Sequence, residues 1–464
     1  MKRLSASTLA LFALGLSACG DQSAPLSPIG TTAASFNESA SGGRHIVGFN
    51  GNKTLAEVQA AVAARGGSVE WFHEGAGIGV VVGLTDDGAR ALPGAAMSMA
   101  DAEIQLDPVS TPDVASADVT GGEAVAASQA NPTTAFFYPR QWHLRTIQAN
   151  AAWAAGRIGS PSVKVAILDS GIDYTYPDLN GLVDLSLSRN FVPGDAPLVA
   201  ANFPGKLPFT DLHYHGTHVA STVASKAIVS AGVTSNITLV ALKVLGASGS
   251  GATSGVLNAV LYAADADVDV ANMSLGSLYA KPGNGQFGGF VNRVFNYAHR
   301  QGTLIVVSGG NEGMDLQHNG NIRDLYCDVP NVVCVSATGP TSAGGTNGPW
   351  NNVDALASYS NWGTDAITVA APGGNASPVW AACSQTTLAV PVCRTGNFTI
   401  GLSGTSMAAP HVTGLAALLV ENVGRNNPAQ LRHAIMRGTD DLGKPGRDAF
   451  YGAGRINVKT ALGL

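Results

Sequence analysis

The amino-acid sequence predicts an α/β fold: a doubly wound, mostly parallel sheet with helices on both faces, preceded by a small α+β unit. Three observations carry that expectation. After Arg140, runs with successive apolar residues recur as VKVAIL (163–168), ITLVALKVL (237–245), VDVANMS (268–274), TLIVVS (303–308) and ITVAA (367–371). Helical stretches such as GVLNAVLYAADA and GGFVNRVFNYAHRQG separate several of them. Strands apolar on both faces and joined through helices form a parallel sheet, because each crossover lays a helix over a face. Finally, 464 residues with 45% hydrophobic and 12% charged side chains supply a large core and exclude a disordered or tail-like protein. A net charge of −6 without a basic cluster sets nucleic acid aside as a partner.

The elements follow in chain order. Lys2 and Arg3 precede the apolar stretch Thr8 to Leu16, which is too short to cross about 30 Å of hydrocarbon. Leu16-Ser17-Ala18-Cys19 resembles a bacterial lipoprotein box, in which the peptide is cut before the cysteine and the thiol carries lipid. The alternative is an ordinary signal peptide cut near Ala18. Residues 1–19 are therefore expected as an export signal with Cys19 as a lipidation site and membrane anchor, and 20–44 as a Ser/Ala/Pro/Thr tether. Residues 45–108 show a small α+β pattern: HIVGF as a strand, LAEVQAAVAARGG as a helix carrying Leu55, Val58 and Val62, then SVEWF and IGVVVGL as strands. DDGARAL follows as a second helix and AEIQLDPV as a last strand. Residues 109–140 read as a linker, and 141–464 as one large domain.

Four cysteines follow Cys19. Proximity favours Cys327–Cys334 and Cys383–Cys393, among three possible pairings, and an oxidising compartment permits both. Zinc is the rival reading, but neither pair has the usual short ligand gap.

Ligands of parallel sheets bind beyond the carboxyl ends of the strands. VKVAIL ends there in Asp169-Ser170-Gly171. His215-Gly216-Thr217-His218 opens a helix, and so does Gly404-Thr405-Ser406-Met407-Ala408-Ala409-Pro410-His411. Each piece alone has an ordinary explanation: a turn aspartate, a packed histidine, a helix cap. His213, His215 and His218 also resemble metal ligands, although no acidic partner stands at a zincin spacing. Together, in the order Asp, His, Ser, the three are the components of a serine nucleophile, its base and the base's orienting acid.

From Gln141 to near the C-terminus the chain resembles the subtilase family of serine proteases. The resemblance rests on AILDSGID, HGTHVAS and GTSMAAPHVTG, with NMSLG (272–276), SGGNEG (308–313) and QWHLRTIQANAAW (141–153). It implies a serine endopeptidase acting on protein or peptide substrates, with Asp169, His215 and Ser406 as triad and Asn311 in the oxyanion hole. It also implies that Ser274, Leu275 and Gly276 pair with substrate backbone, and that Gly309 and Gly310 wall the primary pocket. No cofactor is needed for the chemistry. Asp178 matches a position that binds structural calcium in some relatives. Two departures stand out: Ser308-Gly309-Gly310, where many relatives carry alanines, suggests a roomier pocket, and Cys327 follows Tyr326 where relatives often have proline.

The strand and helix order of residues 45–108 is that of a ferredoxin-like unit, and the resemblance implies an inhibitory pro-domain whose tail, from Asp107-Pro108 onward, crosses the active site. Maturation is then expected within the linker, releasing an exported enzyme. The rival reading is an inactive surface lipoprotein using the same fold for binding, which loss of Asp, His, Ser or Asn would mark. Acid-active relatives with Glu for the base and Asp for the oxyanion residue are argued against by His215 and Asn311.

Overall fold

The computed structural model describes residues 43–106, 113–117, 129–276, 278–280 and 285–464. The export signal, Cys19, most of the tether, Asp107, Pro108 and much of the linker lie outside them. Among the described residues no helix is long and apolar enough to cross a membrane.

The expected apolar runs form the strands Lys164–Asp169, Thr238–Lys243, Val270–Met273, Leu304–Ser308 and Val369–Pro372. Val333–Thr338, not anticipated from sequence, inserts between the last two. Pairing is parallel throughout this series. Thr238–Lys243 lies on one side of Lys164–Asp169 and Val270–Met273 on the other, so strand order reverses at Asp169. Such a switch point leaves a crevice at the carboxyl ends, where a ligand fits. Helices His215–Val223 and Thr405–Val423 pack on one face, and Thr253–Asp265 and Gly285–Gln301 on the other.

The small N-terminal unit is a four-stranded antiparallel sheet with two helices, ordered Ser68–His73, Ile78–Val82, His45–Phe49, Ala95–Ala100. Its first helix, Leu55–Ala63, starts with a capping box: Glu57 N–H donates to Thr54 Oγ1 at 3.3 Å, and Thr54 N–H to the Glu57 carboxylate at 2.9 Å. Val58 and Val62 are buried, whereas Leu55, expected on the same face, is exposed. Alternation along the strands sorts the sheet's two faces. Val47, Phe49 and Val81 pack under the unit's own helices, while Ile46, Ile78 and Val80 join the core formed with Thr253–Asp265 and Gly285–Gln301. The dock is also polar: Ser254 N–H donates to Asp101 Oδ1 at 2.9 Å and Arg44 Nη2 to Ser254 Oγ at 2.9 Å. A carboxylate is favoured at that helix start by the free N–H groups and the dipole.

Two stretches depart from expectation. The fourth strand of the small sheet is Ala95–Ala100, not AEIQLDPV, whose residues Glu103–Gln105 instead pair antiparallel with Ser250–Ala252 of the large domain. Part of the expected linker is ordered as the strand Asp113–Ala117, paired with Asn397–Leu402. Cys327–Cys334 and Cys383–Cys393 are disulfide-bonded, which removes the zinc alternative.

Candidate active site

Asp169 ends its strand fully buried, with Oδ1 and Oδ2 2.8 and 3.0 Å from His215 Nδ1. A carboxylate on Nδ1–H leaves Nε2 as the imidazole's lone-pair nitrogen. His215 is the first residue of its helix, and the turn before it is held by Asp211. One oxygen of Asp211 accepts from His213 and Tyr214 N–H at 2.9 and 3.1 Å and from Ser170 Oγ, and the other accepts from Thr217 N–H and Oγ1. Tyr214 sits at φ +146, a conformation that side chains disfavour and that these bonds sustain. A Cβ at Gly216 would lie 2.1 Å from the Gly171 carbonyl, so only glycine lets the helix approach the Asp169 turn. Burial works against an imidazolium at His215. The charge and hydrogen bond of Asp169, with Asp211 behind, outweigh it and hold the His215 pKa above its ordinary value.

Ser406 is the second residue of the Thr405–Val423 helix, 9% exposed, and its hydroxyl donates to the Ser274 carbonyl at 3.2 Å. In this resting arrangement the hydroxyl does not bond to His215; catalytic hydrogen bonds commonly tighten only with substrate present. Ser274 Oγ in turn donates to the Ser406 carbonyl at 2.7 Å and accepts from Asn272 Nδ2 at 2.9 Å. Asn311 Oδ1 accepts from Thr405 N–H and Oγ1, both at 2.9 Å. With the amide oxygen so occupied, the NH₂ end is left to donate, and Asn311 lines one cleft together with Leu275, Gly276, Gly310 and Ser406.

Not every expected residue faces that cleft. A Cβ at Gly309 would meet the Val335 carbonyl at 2.9 Å, and one at Gly310 would meet Asn361 Nδ2 at 2.4 Å. Close packing thus demands glycine at both positions, while Gly310 also lines the cleft. Asp178 does not fit a calcium ion. Its buried carboxylate accepts from Ile228, Val229 and Ser230 N–H and from Ser230 Oγ, each at 2.8–2.9 Å, so donors surround it where a cation would need oxygens. The histidines diverge too: His218 Nε2 lies 3.0 Å from the Val379 carbonyl, and burial pushes its pKa down to about 3 and that of His213 to about 4. Among the described residues no group of three or more His, Cys, Asp or Glu is placed to hold a metal.

Sequence reasoning missed the Ser248–Ala252 edge. Leu106 N–H donates to the Gly249 carbonyl at 2.9 Å beside the Glu103–Gln105 pairing, and Gln105 and Leu106 reach the cleft that contains Ser406. It also missed Asp324 in that cleft, whose signal was a lone acid in the segment Asp324-Leu325-Tyr326-Cys327.

The pattern of the subtilase family matches residues 160–454. The chain is 31% identical over 334 residues to the thermophilic serine proteinase of Bacillus sp. (strain AK1), covering 71% of this chain and 69% of that one. The chain belongs to the subtilase family. Subtilisin Savinase of Lederbergia lenta is 33% identical to this subtilase over 323 residues, covering 69% of this chain and 97% of that protein. In fold, the subtilase is similar to the epidermin leader peptide processing serine protease of Staphylococcus aureus. That likeness has a TM-score of 0.67 at 21% identity and covers 91% and 98% of the two chains. As a member of this family the protein is a serine protease, and a subtilase needs no cofactor for its chemistry.

Proposed function

We propose that this subtilase is an exported serine endopeptidase, made as a precursor and released by cleavage of its own linker. Ser406 Oγ attacks the scissile carbonyl carbon as His215 Nε2 takes the hydroxyl proton. Asp169 holds the tautomer and offsets the imidazolium charge, and the Asn311 amide with the Ser406 N–H receives the oxyanion. His215 then protonates the leaving amine, and water, deprotonated by the same imidazole, frees the acyl group from Ser406. The observation that carries this reading is the Asp169–His215 contact at 2.8 Å, aligned at the sheet's switch point.

Residues 45–108 act as an inhibitory pro-domain in this proposal. Supporting it, Glu103–Gln105 lies as an added strand on Ser250–Ala252, and Gln105 and Leu106 occupy the approach to Ser406 as a bound product strand would. Cys19 anchors the precursor through lipid, and the two disulfides suit an oxidising compartment.

The test is labelling by a serine-directed fluorophosphonate, followed by N-terminal sequencing. Wild type is expected to label on Ser406 and to yield a fragment starting between residues 110 and 141. Ser406→Ala should accumulate full-length, unlabelled protein, and Cys19→Ser should leave the membrane fraction. Active wild type still beginning at Cys19 with no bound pro-fragment would falsify the maturation scheme.

A further inference from the structure

The cleft beside Ser406 is closed by a carboxylate with nothing to hold. Asp324 ends the strand Ile322–Asp324 and lines the cleft with Leu275, Gly276, Ser308, Gly310 and Asn311. It is 1% exposed. Oδ1 accepts from Tyr326 and Cys327 N–H at 2.9 and 2.7 Å, yet Oδ2 has no hydrogen-bond partner among the described residues. The position of a Cβ on Gly276 lies 4.0 Å from Oδ2, so this oxygen looks toward the wall formed by Leu275 and Gly276. Pairing of Leu278 with Asp324 and the Cys327–Cys334 bridge fix the carboxylate in place.

Such an arrangement is unfavourable by itself, because a buried carboxylate oxygen without a donor forfeits its hydration. Other buried acids of the domain avoid it: Asp169, Asp173, Asp178 and Asp211 have both oxygens hydrogen-bonded, and Asp195, whose Oδ2 also lacks a hydrogen bond, is paired there with Lys243 Nζ at 3.0 Å. Among the described residues, the groups facing Asp324 supply no cation. They are Glu312, Asp328, Tyr279 and Tyr326, and Arg323 turns to Asp328 at 3.8 Å. Burial, with Asp328 and Glu312 adding their charge, pushes the Asp324 pKa up to about 8.

We propose that Asp324 makes this the pocket for a basic side chain, so that the residue donating the scissile carbonyl is lysine or arginine. Its ammonium or guanidinium donates to Oδ2, and the carboxylate is held ionised by the arriving charge. The inference rests on Ser406 being the nucleophile. Glu312 at the exposed rim adds attraction for the same charge before it is desolvated.

Two substrate pairs test this on the mature wild-type enzyme, in peptides identical except at that residue: lysine against norleucine, and arginine against citrulline. The expected kcat/KM ratio is about 100 in favour of the charged member at pH 8.5, since a site built around a polar contact strongly rejects a substrate lacking it. The ratio should fall as pH drops, because burial raises the pocket acid's pKa and lets it take up a proton. Asp324→Asn should cut the ratio by at least about 30-fold in protein that still labels with fluorophosphonate. A ratio near one in labelled wild-type enzyme overturns the pocket and leaves the triad standing. Failure of Ser406 to label overturns the triad and the pocket inference with it.

Discussion

Two sets of buried acids approach Ser406 from different sides, and their surroundings differ. On the imidazole side, Asp169 and Asp211 have every oxygen engaged by His215, Ser170, Thr217 and backbone N–H groups. On the pocket side, Asp324 is as deeply buried but has one oxygen satisfied and one open. A carboxylate whose donors all come from within the chain organises backbone: it sets the turn before His215 and the ring's tautomer. One left open toward a cleft, with no donor for it among the described residues, is what a ligand's cation could complete. Depth of burial alone does not separate these roles; the accounting of lone pairs does.

The largest expected effect lies on the imidazole side. Asp169→Asn keeps the shape but removes the charge and favours the wrong tautomer, so kcat should fall about 10⁴-fold. The rise of activity with pH should also move to lower pH, because the carboxylate that holds the His215 pKa up is gone. Steady-state rates across pH, with circular dichroism for the fold, check both. An unchanged pH midpoint would break the assignment of Asp169 as the group acting on His215.

Next comes Asp324 and its cost to folding. Its folded pKa of about 8 stands above the unfolded value near 4, so the folded state binds more protons between them. Stability from this group is therefore full below about pH 4 and is lost as pH rises through about 8. In a Ser406→Ala background, Asp324→Asn should erase that loss. Its stability relative to the parent should improve from pH 4 to pH 9 by up to about 5 kcal/mol, read from urea midpoints. A difference independent of pH would remove the contrast between the two sides.

Asp178→Ala should destabilise the same background by about 3 kcal/mol, since three N–H donors and a hydroxyl lose their acceptor together. Added calcium should leave the thermal midpoint of the Asp178 parent unchanged at this site; a calcium-dependent rise abolished by the substitution would overturn the donor argument.

The smallest effect is expected at the dock of the small unit. Asp101→Ala removes the acceptor at the start of Thr253–Asp265 and the partner of Arg44, at about 1 kcal/mol. After linker cleavage, the pro-fragment should dissociate roughly 5-fold faster, measured by the lag before activity appears.

Much of the domain's chemistry was legible because it is local in the chain. Apolar runs marked five strands, and glycine-bounded motifs placed Asp169, His215 and Ser406 at the right strand and helix ends. The helical spacing of Val58 and Val62 announced the first helix in the same way. These signals depend on neighbours within a few residues, so the sequence determines them by itself.

Tertiary structure decided what depends on partners far along the chain. AAMSMA lacks β-branched residues and reads poorly as a strand, yet it closes the small sheet because His45–Phe49 offers it an open edge. AEIQL alternates well but spends its backbone donors on Ser250–Ala252, an edge that no local pattern reveals. Asp178 looked like a metal ligand until its oxygens were found to face N–H groups some fifty residues on. Asp324 was passed over because a lone aspartate in sequence says nothing of its burial or of its unused oxygen. Whether a polar group is satisfied is a property of everything packed around it, and that exists only once the chain has folded.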